Sequence, residues 1–380
     1  MITPPLVSFN RSSLEGRELE YIFTTISHGQ IAGDQKFSRK CHELVERELG
    51  TTRALLTTSC THALEMAAIL LGIQAGDEVI VPSFTFVSTP NAFVMRGARP
   101  VFCDVRPDTL NLDEARLEAL ITPRTKAIVP VHYAGVGCEM DEILAIAGRH
   151  GIPVVEDNAH GLFGKYRGRW LGTLGCLATQ SFHETKNITC GEGGALLIND
   201  TAYAGRAEII REKGTNRARF FRGQVDKYSW VDAGSSYVMS DVLAAFLYGQ
   251  LEVWRSIQAK RKAIWEFYHA ALADWCAAEG VRQPVVPEHC EQAWHMYYLL
   301  TPSLEFRTRF IGHLKSSGIL AVFHYLPLHL SEFAQQWGGK PGDCPVTEDV
   351  SDRLVRLPFF NTMTDDQLGR VVAEISAFKN

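Results

Sequence analysis

The chain has 380 residues, 46% of them hydrophobic and 21% charged, which excludes one small domain and fits a large and a small domain around a core able to keep a ligand dry. A formal net charge of −5 excludes a protein that clings to nucleic acid by bulk charge, so an anionic substrate needs a local basic patch. Nine scattered cysteines without a CxxC pair point to neither a zinc ribbon nor a disulfide framework, and fit thiols in a reducing compartment.

The opening residues, MITPPLVSFNRSSLEG, lack the basic-then-apolar layout of a signal peptide. No apolar run reaches the roughly 20 residues that span a bilayer. The expectation is a cytoplasmic protein with no membrane segment. The first ~30 residues are expected to pack on a second domain or on a partner subunit. Helical spacing follows over 61–71 and 140–149. Between and after these helices, short β-branched runs at 78–81, 100–105, 126–132 and 153–156 read as strands, bounded by Gly, Pro or Asp. Strands also fit 179–182 and 195–198. Such alternation predicts a mostly parallel sheet covered by helices on both faces. Residues 240–272 read as one long helix leading away from it. Beyond lie expected strands at 296–300 and 320–325 flanking a helix near 306–316, a smaller α+β unit. The expected division is residues 1–250, the N-terminal segment with the large domain, and 251–380, the connecting helix with the small domain.

Three local patterns carry chemistry. Thr57-Thr58-Ser59-Cys60-Thr61 stands just before a helix, where hydroxyls and free N–H groups form an anion site; a plain N-cap is the alternative. Asp157 closes the run Val154-Val155-Glu156, at the carboxyl end of a buried strand where doubly wound sheets bind ligands. It could hold a cationic group or cap a helix. Lys186 follows in Ser181-Phe182-His183-Glu184-Thr185-Lys186-Asn187, ahead of Gly191-Glu192-Gly193-Gly194. A partly desolvated lysine on such a loop can become a nucleophile towards an aldehyde, although most lysines are solvated surface charges.

Together with Pro82-Ser83-Phe84-Thr85-Phe86-Val87-Ser88-Thr89, Pro130-Val131-His132-Tyr133-Ala134-Gly135 and Glu156-Asp157-Asn158-Ala159-His160, these stretches resemble the DegT/DnrJ/EryC1/StrS sugar aminotransferases over essentially the full length. Residues 211–217, 220–228 and 234–237 are similar to one branch of that family, the dTDP-4-amino-4,6-dideoxygalactose transaminases of enterobacterial common antigen synthesis. The resemblance implies an α/β, aspartate-aminotransferase-like (fold type I) large domain with a mostly parallel seven-stranded sheet and a smaller α+β C-terminal domain. It implies pyridoxal 5′-phosphate (PLP) as cofactor, a dTDP-sugar and L-glutamate as substrates, and a homodimer with shared active sites.

The resemblance also implies roles. Lys186 would join the cofactor covalently and later carry the proton. Asp157 would keep the pyridine nitrogen protonated, Phe86 would stack on the ring, and His160, where many relatives have Gln, would sit near the phenolic oxygen. Cys60, Thr61 and Ser181 would hold the phosphate. Arg217, Arg219, Arg222 and Lys227 with Tyr228 form a basic-aromatic cluster suited to a diphosphate and a thymine ring, and His324-Tyr325 and His329 lie where relatives place substrate-facing residues. Those histidines lack a third ligand at zinc spacing, so no metal is expected. Ser236 stands where many relatives carry an Asn that reaches the neighbouring subunit's cofactor phosphate. His295 and Tyr297 are as readily packing residues as contacts. The rival readings are the same transfer to a 3-keto sugar or to a gluco-configured product, a sugar dehydratase, which would lack Lys186, and a non-catalytic regulator.

Overall fold

The structure, a computed structural model, describes residues 6–379. Its centre is a sheet of β1 (Arg53–Thr57), β2 (Glu78–Pro82), β3 (Arg99–Cys103), β4 (Thr125–Ile128), β5 (Val155–Asp157), β6 (Leu177–Ser181) and β7 (Gly194–Ile198). The ladders β3-β2-β4 and β5-β6-β7-β1 are joined by parallel bridges Ile128–Val154 and Val131–Asp157. The sheet therefore has seven strands, in the order β3-β2-β4-β5-β6-β7-β1. All neighbours run parallel except at β7, which is antiparallel to both β6 and β1. Helices cover both faces, so every residue of β2, β6 and β7 is buried. That burial is why β7, Gly-Ala-Leu-Leu-Ile, reads as a continuous apolar run rather than an alternating one.

The predicted large-sheet strands and the first two helices all form, but β1 carried no expectation. Its Arg-Ala-Leu-Leu-Thr stretch uses good helix formers, and only its pairing with β7, Arg53 opposite Ile198 through Thr57 opposite Gly194, makes it a strand. The expected single helix over 240–272 is two, Asp241–Leu251 and Trp254–Ala271, broken where Val253 leaves helical geometry at φ −111°, ψ 18°. The break lets the Trp254 ring stack on Phe163 at 4.0 Å and meet Trp170 edge-on at 6.1 Å.

The N-terminal segment divides its contacts. Val7 is buried among C-terminal residues, donates its N–H to Gly318 and accepts from Leu320. Farther on, helix Glu18–Ser27 lies on Asp241–Leu251 beside the large sheet, with Tyr21, Phe37 and Tyr248 in one aromatic group.

In the C-terminal part, β8 (Tyr298–Leu300) and β9 (Leu354–Arg356) pair antiparallel. Helices Leu304–Ser316 and Asp365–Ala377 enclose a core that includes Trp265, Tyr268, Tyr297, Phe306 and Phe310. The strand expected over 320–325 is a single bridge. Val322 exchanges both bonds with Arg356, at 3.1 and 2.7 Å, and the chain then leaves for the sheet edge, where Leu328 N–H donates to the Ser83 carbonyl.

Two ties bind this part to the large sheet. His329 bonds Ser83 Oγ at 2.7 Å through Nδ1 and Glu348 Oε1 at 3.1 Å through Nε2. Asp104, just after β3, accepts from the backbone N–H groups of Val346 and Thr347 and from the Thr347 hydroxyl, at 2.8 to 2.9 Å. It thus caps helix Pro345–Arg353 from across the molecule, where that helix has no cap of its own. Asp104→Ala would strand three buried donors and lower the unfolding free energy by about 2 kcal/mol, read as a lower unfolding midpoint in a denaturant titration.

Candidate active site

The predicted residues converge at the carboxyl ends of β1, β2, β5 and β6, the edge where parallel sheets collect ligands. Asp157 is the last residue of β5 and is buried. Thr89 Oγ1 donates to its Oδ2 at 2.7 Å, and Ala159 N–H donates to its Oδ1 at 3.1 Å. Burial raises its pKa; those two bonds and the nearby Lys186 oppose the rise. No helix begins after β5, so the helix-cap alternative falls away.

Lys186 lies in the loop joining β6 to β7, a hairpin closed by bonds from Phe182 N–H to Gly193, Glu184 N–H to Gly191 and Cys190 N–H to Phe182. The antiparallel course of β7 follows from that hairpin. The next residue, Asn187, pins the loop. Its Nδ2 donates to Gln258 Oε1 at 3.0 Å and to the Ala293 carbonyl at 2.5 Å, and its Oδ1 meets His295 Nδ1 at 2.9 Å. Lys186 is half-buried by exposed area, yet its ammonium is packed densely enough that burial lowers its pKa to about 8. Cys60 and Asp157 pull the value up, and Arg356 pushes it further down.

A stack of imidazoles lines one side. The rings of His160 and His295 are 4.2 Å apart and near-parallel, and His324 lies 6.1 Å from His160. The Tyr133 hydroxyl meets His324 Nδ1 at 2.9 Å. Burial drives the pKa of each of these histidines well below the ordinary value, so they are neutral and each offers one donor and one acceptor. His160 Nδ1 is buried without a partner. Phe86, 56% exposed, stands at the open mouth with its ring 6.3 Å from Tyr325.

The helix after β1 spans Cys60–Leu70 and is capped by Ser59, whose side chain accepts from His62 N–H. The first-turn N–H groups of Cys60 and Thr61 have no intrahelical acceptor. Gly194 crosses directly beneath. A Cβ there would lie 2.4 Å from the Cys60 nitrogen, so only glycine permits this approach. Ser181 pairs with Gly194 in the ladder, and Thr179 Oγ1, on the same strand, is buried without a partner. A helix N-terminus with hydroxyls, a buried carboxylate, a lysine of lowered pKa and an orphaned imidazole nitrogen form a donor set that fits a phosphorylated, cationic aromatic aldehyde.

Other predicted residues lie elsewhere. Arg217, Arg219, Arg222, Lys227 and Tyr228 are exposed. Arg217 pairs with Glu212 at 3.0 Å and Arg222 with Glu208 at 2.7 Å. Arg217, Arg222 and Ser236 line a cavity of about 700 Å³ that has none of Lys186, Asp157 or His160 in its wall. One chain by itself does not bring this cluster to the lysine, and although that cavity is the larger opening, the chemistry stays with Lys186. His329 is buried with both ring nitrogens engaged in the tie to Ser83 and Glu348. Thr89, Asn187 and Arg356 carried no expected role, whereas Tyr325 was expected beside His324 and stacks on it at 3.5 Å. Thr89 lay inside the quoted 82–89 stretch and Asn187 beside the lysine, whereas nothing in the sequence marked Arg356.

Residues 13–376 match the DegT/DnrJ/EryC1/StrS aminotransferase family. The chain is 36% identical to the uncharacterized protein MJ1066 of Methanocaldococcus jannaschii, over 95% of each chain. It is similar to the solved structure of DesV from S. venezuelae in complex with a ketimine intermediate, with a TM-score of 0.89 and 30% identity over 99% of this chain and 100% of that one. It is also similar to the PMP form of Spr1654 from Streptococcus pneumoniae, with a TM-score of 0.90 and 25% identity over 97% and 98%.

A lysine titrating near 8 is a free amine at lower pH than an ordinary one. The rate at which the apoprotein takes up pyridoxal 5′-phosphate, followed by absorbance, is expected to rise about tenfold per pH unit below 8 and then level off. A rate still climbing towards pH 10.5, the ordinary lysine value, would count against the lowered pKa.

Proposed function

Because the chain belongs to the DegT/DnrJ/EryC1/StrS aminotransferase family, we propose that it moves the amino group of L-glutamate onto C4 of dTDP-4-dehydro-6-deoxy-D-glucose, with pyridoxal 5′-phosphate as cofactor. The products are dTDP-4-amino-4,6-dideoxy-D-galactose and 2-oxoglutarate. The observation that carries the reading is the meeting of Lys186, Asp157 and the open N-terminus of helix Cys60–Leu70 at one sheet edge. The choice of sugar rests on the resemblance of residues 211–237 to the transaminases that make that product.

Each residue has a task set by its environment. The cofactor, when bound, withdraws electrons so that the hydrogen on the carbon bearing the amine becomes acidic. The Lys186 amine, neutral at a mildly alkaline pH, is the base that takes this proton and returns it to the neighbouring carbon. The Asp157 carboxylate, fixed by Thr89 and Ala159, would hold a protonated ring nitrogen, and a cation opposite it would restore its charged form against the cost of burial. His160 would turn its neutral ring to the phenolic oxygen, and Phe86 would cover the ring face. The N–H groups of Cys60 and Thr61 with the Ser181 hydroxyl would hold the phosphate.

The basic loop 217–228 fits the same reading as part of a homodimer in which each chain supplies it to its partner's site. Phe221, Tyr228 and Trp230 expose 70, 53 and 81% of their surface, an apolar display suited to a subunit interface.

The test is direct product analysis. Protein, cofactor, L-glutamate and the 4-keto sugar nucleotide are incubated and the product examined by mass spectrometry and proton NMR. Small H3–H4 and H4–H5 couplings mean an axial amine and support the galacto product. Large ones overturn the stereochemistry, and absence of amination overturns the substrate. Lys186→Ala is expected to lose turnover while retaining the wild-type unfolding midpoint. Mixing inactive Lys186→Ala with a weakened Arg222→Ala chain is expected to restore part of the activity, since one hybrid site would hold both native groups. No recovery would count against shared sites.

A further inference from the structure

Arg356, the last residue of β9, is a half-buried cation with no anionic partner among the described residues. Its backbone is fully engaged, opposite Tyr298 in the β8–β9 ladder and bonded in both directions to Val322. Residues opposite one another in an antiparallel pair project to the same face. The Tyr298 side chain points to Tyr133, ring to ring at 5.8 Å, and Tyr133 bonds His324. Arg356 therefore extends towards the histidine stack and Lys186, where its charge lowers the pKa of Lys186, His160, His295 and His324.

The guanidinium has no carboxylate partner among the described residues, and its Nε is buried without a hydrogen bond. Its recorded contact is the Phe9 ring, 4.6 Å away. Arg261 makes the contrast. More deeply buried, it is satisfied by the carbonyls of Trp294 and His295 and by Asn361 Oδ1, at 2.6 to 2.8 Å. Arg353, three residues before Arg356, pairs with Asp349 and bonds the Thr301 carbonyl. Leaving one guanidinium unpaired inside a protein is costly, and the cost is removed when an anion arrives.

We propose that Arg356 binds the carboxylate of the amino-acid donor, and of the 2-oxo acid that leaves, in the site built around Lys186. The inference rests on the transaminase reading above. Of the anions that reading brings in, the cofactor phosphate belongs to the helix at Cys60 and the sugar diphosphate to the basic loop. The donor carboxylate remains, and it is bonded to the carbon whose proton Lys186 takes. The planar fork of a guanidinium matches the two oxygens of a carboxylate, which a lysine cannot do.

The test uses the cofactor-loaded protein and 2-oxoglutarate alone, by titration calorimetry, with wild type, Arg356→Gln and Arg356→Lys. Loss of a charged double hydrogen bond predicts about 30-fold weaker binding in the Gln variant, and about 5-fold in the Lys variant, which keeps the charge but not the fork. The KM for L-glutamate should rise in parallel, while the KM for the sugar nucleotide stays within about 2-fold, as befits contacts to separate parts of the site. The unfolding midpoint of the ligand-free Gln variant should not fall, because an unpaired buried charge has been removed. Unchanged 2-oxoglutarate affinity, absence of binding to wild type, or a loss confined to the sugar nucleotide would each overturn the assignment. If Arg356→Gln does not fold, the smaller loss in Arg356→Lys decides. A protein that binds 2-oxoglutarate through Arg356 yet aminates no 4-keto sugar would overturn the substrate reading and leave this one standing.

Discussion

The site is organised around one buried carboxylate. Asp157 ends a strand in the middle of the sheet and is almost wholly removed from water, where an isolated charge is expensive. The surrounding structure lowers that cost in steps. Thr89, in the first turn of helix Ser88–Val94, donates a hydrogen bond, and Thr85 supports Thr89 at 2.9 Å. The chain after β5 turns back so that Ala159 N–H can donate as well, and that turn brings His160 into the site. Lys186, from the loop after the next strand along, supplies an opposing charge. What remains uncompensated is what a cationic ligand would complete.

The opposite wall depends on the C-terminal part of the chain. His324, Tyr325 and Arg356 belong to it, and they face the sheet edge only because Asp104 and Ser83, both at strand ends, hold helix Pro345–Arg353 and the His329 segment in place. His329 is a predicted contact that proves to be part of this framework. Its position near the predicted site is real, but both ring nitrogens hold one half of the protein to the other.

Charge is distributed unevenly within the site. The histidines are neutral because burial outweighs every other influence on them, leaving Lys186 and Arg356 as cations against the single carboxylate of Asp157. A small pocket with this balance attracts anions even though the whole protein carries a net charge of −5, because field at short range inside a low-dielectric cleft outweighs the screened charge of the surface.

The sequence by itself determined the sheet-and-helix alternation, and it marked the lysine, the acid that precedes it and the hydroxyl-rich turn ahead of helix Cys60–Leu70. Each of these is local: an apolar run, a residue at a strand end, a hydroxyl before a helix. Only the tertiary structure decided that residues 53–57 form a strand and that 320–325 do not. It also showed that the helix over 240–272 breaks and that His295 rather than His329 joins the site. The bond between Asn187 and His295 spans 108 residues of sequence, and Arg356 is turned towards the site by the pairing of β8 with β9. Contacts of that kind leave no periodicity in the chain, because they arise from the packing of separate elements and not from the geometry of any one of them.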